Sequence, residues 1–312
     1  MLFVAPLLAV LLIGAGARRG LGVAPRASLA TRLGWSFVLG AAVLGTVGVL
    51  GSLFAGLPLG LPTVVVSVLL TAPGFLRSRT RPSVPEVPWW VAVPLCLAAI
   101  ALVAEAVAFP VRDFDGRMTW VPAAQYMRAE RSVLAKPIVS ADVWVTHPQY
   151  PPLLPALRAT ALIVAGTVDE RTSRPLDALF LPAALLVLFG ALRGLAGPRG
   201  AGAAVLLALL TPALSTENHG GAAGTYADVP MGVFVFSGFL ILLRTRSPRS
   251  GVAGGLLLLA GVLSKNEALP IVLCGLVLVV ALRMKRVRAL APAGLFVLVG
   301  VLALARWHQA VP

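Results

Sequence analysis

The sequence predicts an all-α protein, a polytopic transmembrane helical bundle of about ten spans, and three observations carry that expectation. Apolar residues make up 58% of the chain and charged residues only 12%, whereas soluble domains carry roughly a quarter charged residues. The apolar residues gather in runs near the ~20 residues needed to cross ~30 Å of hydrocarbon. Short clusters of arginine separate those runs, and the mean hydropathy is +0.92. Lipid offers no partner to a backbone N–H or C=O, so each run must satisfy its hydrogen bonds internally as a helix. Unbroken apolar runs exclude an outer-membrane barrel, whose strands alternate between polar and apolar residues.

The first run, 2–17, has no basic residue before it and is followed by Arg18 and Arg19. That is the reverse of a secretory leader, so it reads as an uncleaved helix with its N-terminus outside. Further spans are predicted at 34–56, 60–76, 88–109, 174–192, 200–215, 226–243, 251–264, 268–282 and 289–306. The stretch PPLLPALRATALIVAGTV, 151–168, is apolar but opens with three prolines and is interrupted by Arg158. It reads as a juxtamembrane or re-entrant helix rather than a crossing.

Arginine and lysine set the orientation. Five connections, around 18–32, 77–81, 193–199, 244–249 and 283–288, hold 16 of the 26 basic residues, with Glu86 as their one acid. The excess of basic residues in short cytoplasmic loops assigns all five to the cytoplasm. Ten of the other eleven acids are assigned to the opposite side, and Glu105 sits near the outer end of its span. The net charge of +14 is therefore scattered between spans, not gathered on one soluble face as in a nucleic-acid binder. Cys96 and Cys274 lie inside apolar runs, where thiols behave as small hydrophobes, and imply neither disulfide nor metal. The 23 arginines against three lysines, with abundant alanine, suggest a GC-rich bacterial genome and hence a bacterial plasma membrane.

The unusual residues fall on the outer face. The segment 110–150 is too polar to cross the bilayer and too long for a plain connector, and it mixes Asp113, Asp115 and Arg117 with Trp120, Tyr126, Trp144 and Tyr150. Long loops in compact proteins are concentrated at functional sites. Interfacial anchoring accounts for Trp144 and Trp120 but not for the two aspartates. Two shorter outer connections are dense in chemistry: STENHGGAAGTYADVP, with Glu217, His219, Tyr226 and Asp228, and SKNEALP, with Lys265, Asn266 and Glu267. Helices of ~15 residues flank the latter and span only ~22 Å, which would recess Lys265 and Glu267 below the membrane surface. A local Lys265–Glu267 pair stabilising a helical hairpin is the plainer reading of the same residues.

At these residues the chain resembles the GT-C superfamily of membrane glycosyltransferases, in particular the family 39-like branch related to protein O-mannosyltransferases and the lipid A aminoarabinose transferase. DFDGRMTW, 113–120, is similar to the acidic motif that opens the first outer loop of that family. HPQYPPLLP, 147–155, resembles its Tyr-Pro-Pro signature. TYADVPMGVF and SKNEALP supply residues, Asp228 and Lys265, that match its second acidic position and its Lys-Asn-Glu turn. The resemblance covers about 110–285 and divides the chain into N-terminal membrane helices, 1–87, without counterpart in the minimal pattern, and a GT-C-like core, 88–312. It lacks the adjacent Asp-Glu pair common in relatives, and it ends soon after Trp307, so a truncated or reduced member is expected.

The resemblance implies a polyprenyl-phosphate sugar as donor and an acceptor glycan, lipid or protein. The chemistry can be stated from the residues as well. An acceptor hydroxyl attacking an anomeric carbon needs a carboxylate base, for which Asp115 is the candidate, and an inverting transfer needs one such base. The departing lipid phosphate needs a cation, with Lys265 first and Arg158 and Arg117 behind it. For Asp228 three roles stay open: holding the acceptor, orienting Lys265, or sharing a divalent cation with Asp115. His147 and His219 show no recognised metal-ligand spacing, and Tyr150 is expected to shape the turn at Pro151 and Pro152. No cofactor is required by this scheme. A transporter and a catalytically silent scaffold that binds polyprenyl lipid are the competing classes. The first would predict an internal repeat, which the two halves do not show.

Overall fold

Two ends of a helical bundle, one basic and one built of long loops, organise the chain. The computed structural model describes residues 2–77, 86–140, 147–216, 221–245, 247–284 and 287–311, and every regular element among them is a helix. Helices α1 (Val4–Leu21) and α2 (Leu29–Ala55) form an antiparallel pair. A Cβ on Gly14 would lie 1.6 Å from the Ser36 carbonyl oxygen, and one on Gly40 1.9 Å from that of Val10. The two backbones therefore touch, which only small residues permit. The N-terminus of α2 is capped twice. Ser28 Oγ accepts from the Thr31 N–H at 3.2 Å, and the Glu86 carboxylate accepts from the Leu29 and Ala30 N–H groups at 3.0 and 3.5 Å. The one acid of the basic connections thus offsets the positive end of a helix dipole.

Helix α3 (Leu61–Thr71) returns to the basic end through a 3₁₀ turn, Ala72–Gly74, where Arg19 lies 5.2 Å over the Phe75 ring. Helix α4 (Trp89–Ala108) climbs to the loop end. There the chain makes a π turn, Gly116–Trp120, and four short helices, α5 (Val121–Glu130), α6 (Lys136–Val139), α7 (Leu153–Ala165) and α8 (Arg174–Ala178). Both ends of α7 stay at this end of the bundle. The Leu153 N–H donates to the Leu263 carbonyl at 2.9 Å, and beyond its C-terminus the Val168 carbonyl accepts from Gln125 Nε2 at 2.7 Å. Residues 153–162 are all buried, so α7 is an interior helix and not a lipid-facing one.

Helix α9 (Phe180–Leu209) is interrupted at Gly197, whose φ of 67° and ψ of 177° precede Pro198. The chain reverses there. Gly190 lies against Thr31 and Gly202 against Trp90, both at the basic end, whereas the Leu214 carbonyl accepts from the Ala222 N–H at the loop end. Helix α10 (Pro212–Ser215) follows, and then α11 (Asp228–Arg244), α12 (Pro248–Val262), α13 (Ala268–Leu282) and α14 (Val287–Ala310) alternate between the ends. The most buried long helix is α2, which packs on α1, α7, α9 and α12, and α12 packs in turn on α11 and α14.

Among the described residues five helical runs are long and apolar enough to cross a membrane: Val4–Leu21, Leu29–Ala55, Trp89–Ala108, Glu170–Leu209 and Val287–Ala310. Leu61–Gly74, Leu153–Ala165, Pro248–Val262 and Ala268–Leu282 are apolar but shorter. The difference from ten spans has two sources. The predicted spans 174–192 and 200–215 belong to one helical run broken at a single glycine. Helices α3, α11, α12 and α13 have 11, 17, 15 and 15 residues, about 16–26 Å at 1.5 Å per residue, short of a full hydrocarbon thickness.

Candidate functional site

The loop end is held by buried polar ties that converge on Thr225. Asp113, 8% exposed, accepts from the Gly116 N–H at 2.6 Å through Oδ1, and from the Thr225 N–H and hydroxyl at 3.2 and 2.8 Å through Oδ2. The Thr225 carbonyl accepts from Arg158 Nη2 at 2.7 Å, and Arg158 Nε donates to Asp177 Oδ2 at 2.9 Å. Arg174 donates to the carbonyls of Phe109, Pro110 and Ala223. Unpaired polar groups in such a place would each cost about 1–3 kcal/mol. These contacts fix the segments 109–116 and 221–227 against α7 and α8, and so place Asp115 and Asp228, which lie two and three residues beyond the ties.

A second tie brings the remaining islands together. Because the Leu153 N–H bonds the Leu263 carbonyl, the turn carrying Tyr150 sits beside the turn carrying Lys265. Lys265 Nζ donates to Asp228 Oδ1 at 2.7 Å and lies 3.9 Å from Glu267 Oε1. The lysine side chain is 16% exposed and that of Asp228 45%, so the cation is recessed and the carboxylate open. Burial alone pulls the ammonium pKa down. The hydrogen bond to Asp228 and the charges of Asp228, Glu267 and Tyr150 more than reverse this, and hold it above the ordinary value of 10.5.

Tyr150 stands at the centre. Its ring stacks on Trp120 with centroids 5.4 Å apart and planes at 6°, and the His147 ring lies 5.2 Å away. Its phenol is pushed upward in pKa, first by burial and then by the charge of Glu267. Lys265 opposes this, and Asp115 and Asp228 add to it. All four charged groups are thus within electrostatic reach of one hydroxyl. Asp115 is half-buried at the start of the π turn and has no hydrogen bond or ion pair among the described residues. Beneath the stack a void of about 10 Å³ is lined by Thr119, Trp120 and Trp307 among others, and Thr119 Oγ1 and both indole Nε1 atoms are buried without partners among the described residues. That is room for one water, which would have three polar groups to bind.

The predicted site residues therefore separate. Asp115, Tyr150, Asp228, Lys265 and Glu267 come together, with Asn266 half-buried between the last two and Tyr226 half-buried before Asp228. Arg117 is exposed beside Asp115. His147 is exposed, adopts a φ of 56°, and lies with Nδ1 3.4 Å from Gln149 Nε2. Arg158 and Asp113 are engaged in the buried ties, and Arg158 is 2% exposed, so it does not face an incoming phosphate. Glu217 and His219 lie outside the described residues. Among the described residues no group of three or more His, Cys, Asp or Glu side chains is placed to hold an ion.

Sequence reasoning missed Asp177, Arg174 and Thr225. A lone acid inside the predicted span 174–192 was the available signal for the first; a threonine has none. No protein-family model, curated protein or solved structure matches the chain.

Proposed function

We propose that this chain is a membrane glycosyltransferase that moves a sugar from a polyprenyl-phosphate donor to an acceptor on the non-cytoplasmic face, with α1–α4, the two legs of α9 and α11–α14 serving as ten spans and α7 as a re-entrant helix. The reading is supported chiefly by one observation: Tyr150, Asp228 and Lys265 come from three connections far apart in sequence, yet meet at one end of the bundle beside Asp115, which has no partner among the described residues. Asp115 takes the proton of the acceptor hydroxyl as its oxygen bonds to the anomeric carbon. The sugar–phosphate bond breaks, its electron pair leaves on the lipid phosphate, and Lys265 faces the growing charge. Asp228 holds the ammonium in place and keeps it protonated. The stacked Tyr150 and Trp120 offer an aromatic face to the sugar.

The direct test is transfer from a panel of polyprenyl-phosphate sugars by membranes carrying the wild type or Asp115→Asn. A lost general base lowers the rate by about 10²–10⁴-fold, and a side chain with no partner can be exchanged for its amide without a change in thermal midpoint. Undiminished transfer by Asp115→Asn would remove Asp115 from the reaction. One observation favours a second reading, a silent scaffold that binds polyprenyl lipid: Lys265 already has two carboxylates near it. Donor-lipid binding by the wild type without transfer of any sugar in the panel selects that reading.

A further inference from the structure

At the basic end, opposite the candidate site, a cavity of about 560 Å³ opens between α2, α9, α11 and the 22–28 turn. Its size is that of a pocket for a drug-sized ligand. Among the described residues three arginines line it, Arg26, Arg193 and Arg244, and no acid does; much of the remaining wall is apolar, including Trp35, Phe189 and Ile241. The turn is held in place from below, since Arg32 Nη2 donates to the Pro25 carbonyl at 2.6 Å. Arg244 is anchored by one bond, 2.7 Å to the Ala191 carbonyl, of the five donors its guanidinium carries. The commonest alternative anion holder, the N-terminus of α2, is already occupied. Its first three N–H groups are taken by Glu86 and Ser28. Any anion here must be recognised by guanidinium groups, whose planar fork matches phosphate oxygens.

We propose that this cavity binds the headgroup of an anionic phospholipid, with the phosphodiester at Arg26, Arg193 and Arg244 and the first chain methylenes against Trp35, Phe189 and Ile241. Charge complementarity selects an anion. The apolar wall and the volume, far greater than an inorganic phosphate requires, select an amphiphile. The basic end is the one that the arginine distribution assigns to the cytoplasm, where the leaflet is rich in acidic lipid and basic pockets between helices bind such headgroups. The proposal does not depend on sugar transfer at the other end.

Native mass spectrometry of the full chain in non-ionic detergent, titrated with phosphatidylglycerol, phosphatidylcholine, polyprenyl phosphate or inorganic phosphate, tests it. Phosphatidylglycerol should bind at least about tenfold more tightly than phosphatidylcholine. Single Arg→Gln substitutions at 26, 193 and 244 should weaken it about fivefold each, and the triple variant on the order of a hundredfold, as expected for the loss of one guanidinium charge at a time. Arg244→Lys should recover most of the loss. Arg26 is exposed in a turn, so Arg26→Glu provides a second variant, with its fold checked by its thermal midpoint in phosphatidylcholine nanodiscs. Equal affinity for the two phospholipids, or unchanged binding by the triple variant or by Arg26→Glu, would overturn the site. Tighter binding of polyprenyl phosphate, or full competition by inorganic phosphate, would overturn the phospholipid as its occupant.

Discussion

Arg158 is an arginine inside an apolar run, and whether it serves the fold or a substrate can be decided by a double substitution. The pair it forms with Asp177 has side chains 2% and 5% exposed and a 2.9 Å contact. The pair is incompletely satisfied, because Arg158 Nη1 and Asp177 Oδ1 are buried without partners among the described residues. Removing one member strands a charge in the interior, at a cost of about 3–5 kcal/mol, whereas replacing both by apolar residues of similar volume is close to neutral or stabilising. The double change also gives up the Arg158 bond to the Thr225 carbonyl, about 1.5–3 kcal/mol for a charged donor. Asp177→Leu should therefore lower the thermal midpoint by on the order of 10 °C, taking about 2–4 °C per kcal/mol. Arg158→Met with Asp177→Leu should lie within about half of that drop. Intrinsic tryptophan fluorescence during heating of the purified protein in detergent reads both. If the double variant is as unstable as the single one, the pair is not a self-cancelling strut. If Arg158→Met keeps the wild-type midpoint but abolishes lipid-phosphate binding, Arg158 is a ligand and the structural assignment is wrong.

Three further outcomes follow from the geometry. Gly14→Ala places a methyl carbon where 1.6 Å separates it from the Ser36 carbonyl oxygen, so it should cost about 1–3 kcal/mol by overpacking α1 against α2; Gly194→Ala, whose Cβ would meet nothing within 4 Å, should gain about 0.5–1 kcal/mol from helix propensity, and thermal midpoints of the two variants check the contrast. Lys265, held above its ordinary pKa chiefly by Asp228 working against burial, should react slowly with an amine-acylating reagent near pH 8, and Asp228→Asn should speed the reaction by leaving burial opposed only by the charges of Glu267 and Tyr150; an equal or slower rate in the variant, read by peptide mass spectrometry, would show that the ion pair does not control the ammonium. The same raised pKa means that the part of stability linked to the protonation of Lys265 is fully present below about pH 10.5 and is lost only as pH rises beyond it, so melting curves from pH 7 to 9 should show no loss attributable to Lys265.

The helical class and most helix positions were legible because lipid imposes a single solution on a long apolar run: the observed α2, α4, α11 and α13 begin and end within a few residues of the expected spans at 34–56, 88–109, 226–243 and 268–282. The form of the break at Gly197 was not. The sequence places a basic connection between two spans at 193–199, and the chain turns inside it, at one glycine in a conformation closed to other residues, followed by a proline. Period and hydropathy mark the place of such a turn but not its brevity.

The site shows a sharper limit. Asp115, Asp228 and Lys265 stand out as charges in outer connections, and so does Arg158, because the same desolvation cost marks any ionisable group near the bilayer interior. What separates them is the partner, and the partner is a property of the fold. Arg158 meets Asp177 nineteen residues on, across the rest of α7 and the loop that leads into α8, together with a carbonyl 67 residues distant. Lys265 meets an aspartate on a different helix that remains half open. Asp115 meets none among the described residues. A charge whose partners are buried with it is spent on holding the loops, and a charge left open or unpaired at the end of those loops is free for chemistry. The ties through Thr225 are therefore what turn four similar sequence signals into one scaffold and one candidate site.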